Sequence, residues 1–144
     1  MENSTLFRTF GTMLDCSRNA VPNLHTLKKW VDLTASLGYN TLLLYTEDTY
    51  EVPDEPYFGY MRGRYTQAEL RELDAYANER GMTIMPCIQT LAHLYAIKRW
   101  PEYWPHFDTD DILLAGDERV YTLIDRMFQS LAASLSCRTI HLGM

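Results

Sequence analysis

Seven polar residues sit where short apolar runs give way to loops: Asp15 and Arg18, Glu47 and Asp48, Gln89 and His93, and His141. Carboxylates, an imidazole and a guanidinium in such positions suit acid–base work or the binding of a polyhydroxylated ligand. A carboxylate on one ring nitrogen of a histidine sets the tautomer and raises the basicity of the other nitrogen. Neighbouring strands lie about 4.8 Å apart, so Asp48 and His93 are within reach of each other if their strands are adjacent. Each residue also has a plainer reading. Arg18 can pair with Asp15 at the surface, Asp48 with His93 as a structural hydrogen bond, and His141 can be a satisfied core histidine.

The segments between these residues define what must position them. Leu6 to Leu14 mixes apolar residues and threonines like a strand. After Pro22, Asn23 is placed to cap a helix whose face is Leu27, Trp30, Val31, Thr34 and Leu37, with Gly38 closing it. Thr41 to Tyr45 is a short, nearly continuous apolar run, as in a strand covered on both faces. A long loop rich in Pro, Tyr and Gly runs to Tyr65. The helix from Thr66 to Gly81 opens with a Thr66/Glu69 capping box and buries Leu70, Leu73, Tyr76 and Ala77. Met82 to Ile88 reads as a third strand. Leu94 to Arg99 reads as a short helix stopped at Trp100-Pro101, and the aromatic and acidic stretch through Asp111 as loop. A last helix after Asp117 carries Val120, Ile124, Met127, Leu131 and Leu135 on one side, and Thr139 to Leu142 reads as a fourth strand.

Strands alternating with amphipathic helices imply βαβ units and a parallel sheet with right-handed crossovers. Four such strands make a small open α/β sheet or half of a (β/α)₈ barrel, which usually takes about 250 residues. Both place ligands at the C-terminal strand ends, where the seven polar residues fall. No linker or low-complexity tract divides residues 1–144, so a single unit is expected. Loop aromatics such as Tyr57, Phe58, Tyr60, Trp100 and Trp104 are available for packing or for stacking on a sugar face.

Composition narrows the partners. The net charge of −6 over 144 residues argues against nucleic acid or an anionic membrane. No apolar run approaches the roughly 20 residues of a membrane span, and the first residues lack a signal-peptide pattern. Cys16, Cys87 and Cys137 form no C-x-x-C pair, so a reduced, cytoplasmic protein is expected. No His/Cys spacing supports a metal site, no glycine-rich phosphate loop appears, and no cofactor is expected.

The residues at the strand ends resemble a known family. Leu14-Asp15-Cys16-Ser17-Arg18 is similar to the D-x-x-R segment after the first barrel strand of family 20 glycoside hydrolases, the β-N-acetylhexosaminidases. Tyr45-Thr46-Glu47-Asp48 resembles their second-strand T-D-D segment, and Met85 to His93 a third strand ending in P-G-H. His141-Leu142-Gly143-Met144 resembles the start of H-x-G-x-D-E. The resemblance departs from the family pattern at Glu47, Ala92 and Met144, which replace an aspartate, a glycine and a small residue.

The resemblance implies the first half, about four strands, of a (β/α)₈ barrel. It also implies a retaining mechanism in which the substrate's own 2-acetamido carbonyl attacks the anomeric carbon. By it, Arg18 binds hydroxyls of a terminal N-acetylhexosamine, Asp48 and His93 form the dyad that supports the general acid, and His141 shapes the strand that delivers the catalytic Asp-Glu pair. That pair would follow Met144, so hydrolysis by these 144 residues alone is not expected. The alternative is a non-catalytic carbohydrate-binding or assembly module. A half-barrel would also leave two parallel edges open to self-association.

Overall fold

The computed structural model describes residues 7–18 and 20–143. The expected first strand begins at Leu6 and the H-x-G segment ends at Met144; both residues lie outside the described ones. Three strands, β1 (Gly11–Asp15), β2 (Thr41–Thr46) and β3 (Thr83–Ile88), form a parallel sheet in the order β1-β2-β3. The register aligns Met13, Leu43 and Met85 in one row and, two residues further on, Asp15, Tyr45 and Cys87 in another. Side chains alternate along each strand. Leu42, Leu44, Ile84 and Ile88 therefore face the helices and are buried, while Met13, Leu43 and Met85 share the other face.

The helices form where local signals and an apolar face coincide. In α1 (Leu24–Ser36) the Asn23 side chain accepts the Thr26 N–H at 2.9 Å, and Leu27, Val31 and Thr34 are buried. Gly38 then takes a φ of +85°, a turn of the chain that a Cβ would strain. In α2 (Gln67–Asn78) the capping box is complete. Thr66 Oγ1 accepts from the Glu69 N–H at 3.1 Å, and Glu69 Oε2 accepts from the Thr66 N–H at 2.8 Å. The buried side of α3 (Glu118–Ala132) is Val120, Leu123, Met127 and Leu131, with Leu135 just beyond the helix. Ile124, expected in the buried stripe, is only partly covered, and Leu123 takes the fully buried place.

Two expectations are corrected here. The aromatic stretch read as loop contains a second 3₁₀ segment, Pro101–His106, directly after Ile97–Arg99. Pro101 presets its first turn, and Tyr103 is buried with its hydroxyl donating to Glu55 Oε2 at 2.9 Å. The fourth strand is reduced to one parallel bridge between His141 and Cys87. The His141 N–H donates to the Pro86 carbonyl at 2.9 Å, and the Ile88 N–H donates to the His141 carbonyl at 2.9 Å. Pro86 has no N–H, and in a parallel ladder that missing donor would have met the chain just before His141. The pairing therefore starts only at His141.

The long loop after β2 is closed over the strand ends. Gly59 has a φ of +67°, and a Cβ there would overlap the Asp48 carbonyl oxygen, so only glycine lets the loop lie this close. Phe58 is buried against Tyr50, and Tyr57 stacks on Trp100 with ring centroids 5.1 Å apart. These aromatics tie the loop after β2 to the loop after β3, which fixes the rim of the strand ends. Trp104 stays exposed, its Nε1 donating to the Lys98 carbonyl at 2.8 Å.

Candidate functional site

Arg18 and Glu47 are the pair at the centre of the strand ends. Arg18 Nη2 lies 2.8 Å from Glu47 Oε1, with the arginine side chain 43% exposed and the glutamate side chain fully buried. The pairing of Arg18 with Asp15, one of the sequence-based alternatives, does not occur. Asp15 instead accepts from the Ser17 N–H at 2.8 Å and the Ser17 hydroxyl at 2.7 Å. Burial opposes its ionisation, but these bonds leave its carboxyl below the usual carboxylate range. The Arg18 guanidinium also lies over the Tyr95 ring, 5.5 Å from its centroid, a cation–π distance.

Glu47 has an unused acceptor. Tyr45 Oη donates to Oε1 at 3.4 Å, while Oε2 is buried with no hydrogen-bond partner. Burial pushes the carboxyl above its ordinary value, more than Arg18, Tyr45 and His93 pull it down; neighbouring Asp48 adds to the rise. An orphaned, buried carboxylate oxygen beside a half-exposed guanidinium is an arrangement that a hydroxyl-bearing ligand completes: the hydroxyl donates to the oxygen and accepts from the guanidinium.

Asp48 and His93 are not brought together, contrary to the expected dyad. Glu47 and Asp48 follow β2 in a bend, and their side chains meet different partners. Glu47 follows Tyr45 onto the side of the site. Asp48 points under the long loop, where Arg62 Nε reaches its Oδ1 at 3.1 Å and Arg62 Nη2 donates to the Ser17 carbonyl. His93, with φ +60°, sits on the rim, its Nδ1 3.4 Å from Asp111 Oδ2.

His141 is exposed and is not a core histidine. Its Nδ1 accepts the Gly143 N–H at 3.0 Å and lies 3.2 Å from Cys87 Sγ. Gln89 is buried, with its Oε1 unpartnered and Gly143 packed against its amide. Cys16 is buried beneath the site, and burial pushes its thiol up to about 11, so it is not a nucleophile near neutral pH. Among the described residues no group of three or more His, Cys, Asp or Glu could hold a metal ion, and no helix is long and apolar enough to cross a membrane. A cavity of about 720 Å³ lies elsewhere, between α3 and residues 135–140. None of the strand-end polar residues lines it, so it plays no part in this site.

Sequence reasoning missed Glu47 as the partner of Arg18, and it also missed Arg62 for Asp48, Tyr95 for Arg18 and Asp111 for His93. Arg62, Tyr95 and Asp111 come from loops, and their pairing depends on how those loops cross the strand ends.

The catalytic-domain model of glycosyl hydrolase family 20 matches residues 7–144. The chain belongs to glycosyl hydrolase family 20. This family 20 chain is 28% identical over 182 aligned residues to a β-hexosaminidase of Vibrio furnissii, covering 99% of the chain and 29% of that protein. It is 28% identical over 163 residues to a β-hexosaminidase of Akkermansia muciniphila, covering 92% of the chain and 33% of the relative. It thus spans about a third of the length of these curated relatives. Among solved structures, it overlays an exo-β-N-acetylglucosaminidase from Vibrio harveyi in complex with N-acetylglucosamine, with a TM-score of 0.84 at 24% identity. That overlay covers 95% of the chain and 27% of the other. A β-N-acetylhexosaminidase from Streptomyces coelicolor overlays with a TM-score of 0.83 at 21% identity, covering 95% and 33% respectively. These likenesses give the family 20 chain the parallel α/β fold of those enzymes.

Proposed function

We propose that the family 20 chain forms the first part, about four βα units, of a (β/α)₈ glycosidase barrel that removes terminal N-acetylhexosamine from glycans. The observation that carries this reading is the Arg18–Glu47 pair: a half-exposed guanidinium held by a fully buried carboxylate at the strand ends. Arg18 donates to hydroxyls of the terminal sugar, and Glu47 Oε2 supplies the acceptor beside it. His141 lines the neighbouring strand position. In place of Asp48, whose carboxylate is held by Arg62, Glu47 is the acid that accompanies His93 in supporting the general acid. The 2-acetamido carbonyl of the substrate attacks the anomeric carbon, a residue outside these 144 protonates the leaving oxygen, and water then opens the cyclic intermediate with retention.

The chain holds two Asp-Glu pairs, Asp54-Glu55 in the long loop and Asp117-Glu118 at the start of α3, and neither lies at the end of a strand. Glu55 accepts from Tyr103 and Arg126, and Asp117 caps α3 while pairing with Arg119. General acid catalysis is worth roughly 10²–10⁴-fold. The 144-residue polypeptide is therefore expected to release no measurable chromophore from an aryl β-N-acetylglucosaminide. Robust turnover by the purified chain, carried through size-exclusion in the same fraction, would contradict this division of the site.

A further inference from the structure

His141 is pinned to β3 on both sides of Cys87. Its N–H donates to the Pro86 carbonyl and its carbonyl accepts the Ile88 N–H, each at 2.9 Å. The bridge sets the two residues side by side, and Cys87 Sγ lies 3.2 Å from His141 Nδ1. A thiol and an imidazole nitrogen can bond in either direction, because sulfur is both a weak donor and a weak acceptor. Gly143 decides which. Its backbone N–H meets the same Nδ1 at 3.0 Å, and an N–H can only donate, so Nδ1 carries no proton. Gly143 is itself held in place: its φ is +59°, and a Cβ there would overlap the buried Gln89 amide and the Ile88 carbonyl oxygen, so only glycine brings its N–H to the ring.

We infer that Cys87 is a positioning residue: its S–H donates to His141 Nδ1 and, together with the Gly143 N–H, fixes the imidazole as a donor through Nε2–H alone. The nitrogen that carries the proton in a protein histidine is set by the bond the other nitrogen makes. Here that other nitrogen receives two donors. Cys87 is 1% exposed, and burial pushes its thiol above the ordinary value, so the sulfur keeps the proton that it donates. With Nδ1 occupied, the ring offers no acceptor to the strand ends. His141 can therefore donate to an oxygen of a ligand (hydroxyl, carbonyl or carboxylate) and takes no proton from one. It closes the row of Asp15, Tyr45 and Cys87 across the sheet, so this donor joins the Arg18 guanidinium at the strand ends. The inference rests on the proposed function only in taking that oxygen to belong to a sugar; the thiol–imidazole bond does not depend on sugar recognition.

The test combines two spectra of the 144-residue chain at about pH 8, where an unperturbed imidazole is neutral. In the ring ¹⁵N spectrum His141 is expected to show a pyridine-type Nδ1, a pyrrole-type Nε2, and a coupling through the hydrogen bond between the Gly143 amide and Nδ1. His25, exposed on α1, shows no such coupling and serves as the internal reference. In the infrared, the S–H stretch that disappears in Cys87→Ala is expected to move to higher wavenumber in His141→Phe, which keeps a ring and removes the acceptor. The bands of Cys16 and Cys137 stay in place in both variants. A pyrrole-type Nδ1 at His141 in the unaltered chain overturns the inference, whether or not either variant folds. So does a Cys87 band unmoved in a folded His141→Phe. A chain that binds no sugar yet gives the expected spectra would count against the proposed function alone.

Discussion

Arg18→Ala is expected to destabilise the chain by about 1–3 kcal/mol near neutral pH, far more than its half-exposed position suggests. The reason is the asymmetry of the pair: the arginine can turn to water, but Glu47 cannot, and removal of the cation strands a fully buried carboxylate. Glu47→Gln, which keeps the shape and removes the charge, is expected to cost less, since Arg18 is then free to hydrate. The pH dependence has a definite sign. The Glu47 carboxyl is already above its ordinary value of 4.5, first through burial. A folded-state value above the unfolded one means that the native state holds the proton more tightly. The stability tied to that proton is full below the unfolded value and is lost as pH rises through the folded one. Removing Arg18 takes away the foremost influence holding the carboxyl down, so the loss grows. Urea unfolding at about pH 4 and pH 7 should show a larger wild-type-to-variant gap at the higher pH; equal gaps would contradict the burial of an uncompensated charge.

Leu42→Ala is expected to have the largest effect on the fold itself, about 2–5 kcal/mol. Leu42 is fully buried on β2, the central strand of the three, between the sheet and its helices. Cutting its side chain leaves a cavity that two flanking strands and two helices prevent from collapsing. Against a total stability of roughly 5–15 kcal/mol for a domain, that is enough to unfold much of the population at moderate temperature. Leu33 on α1, which is 51% exposed, provides the contrast: Leu33→Ala is expected to change stability by no more than about 0.5 kcal/mol. Calorimetric midpoints that ranked the two variants equally would show that the core does not lie where these burials place it.

The parts of the fold that were legible in the sequence are those specified within a few residues. Asn23 and the Thr66/Glu69 box announce helix starts because a side-chain oxygen must meet a free N–H two or three residues on, a local event. The parallel sheet follows from apolar runs spaced by helices. What escaped is set by groups far apart in sequence. The fourth strand shrinks to a bridge at His141 because Pro86, fifty-odd residues earlier, has no N–H to offer it. Residue type favoured Asp48 as the partner of His93, yet the bend after β2 brings Glu47 to Arg18 and Asp48 to Arg62. Tyr95 and Asp111 could not be assigned at all, since their roles arise only when the loop after β3 folds back on itself. The gathering of polar residues at the strand ends was legible in the sequence; the pairings within them belong to the loops.

The central claim is that Arg18, steadied by Glu47 and Tyr95, recognises sugar hydroxyls. It is tested most directly by titrating the ¹⁵N-labelled chain with N-acetylglucosamine and following amide and guanidinium resonances. The account predicts weak, saturable shifts confined to Arg18, the end of β2, the His93–Tyr95 loop and His141, abolished by Arg18→Ala in a chain that remains folded. Shifts clustered elsewhere, or shifts at these positions that survive the loss of Arg18, would contradict it.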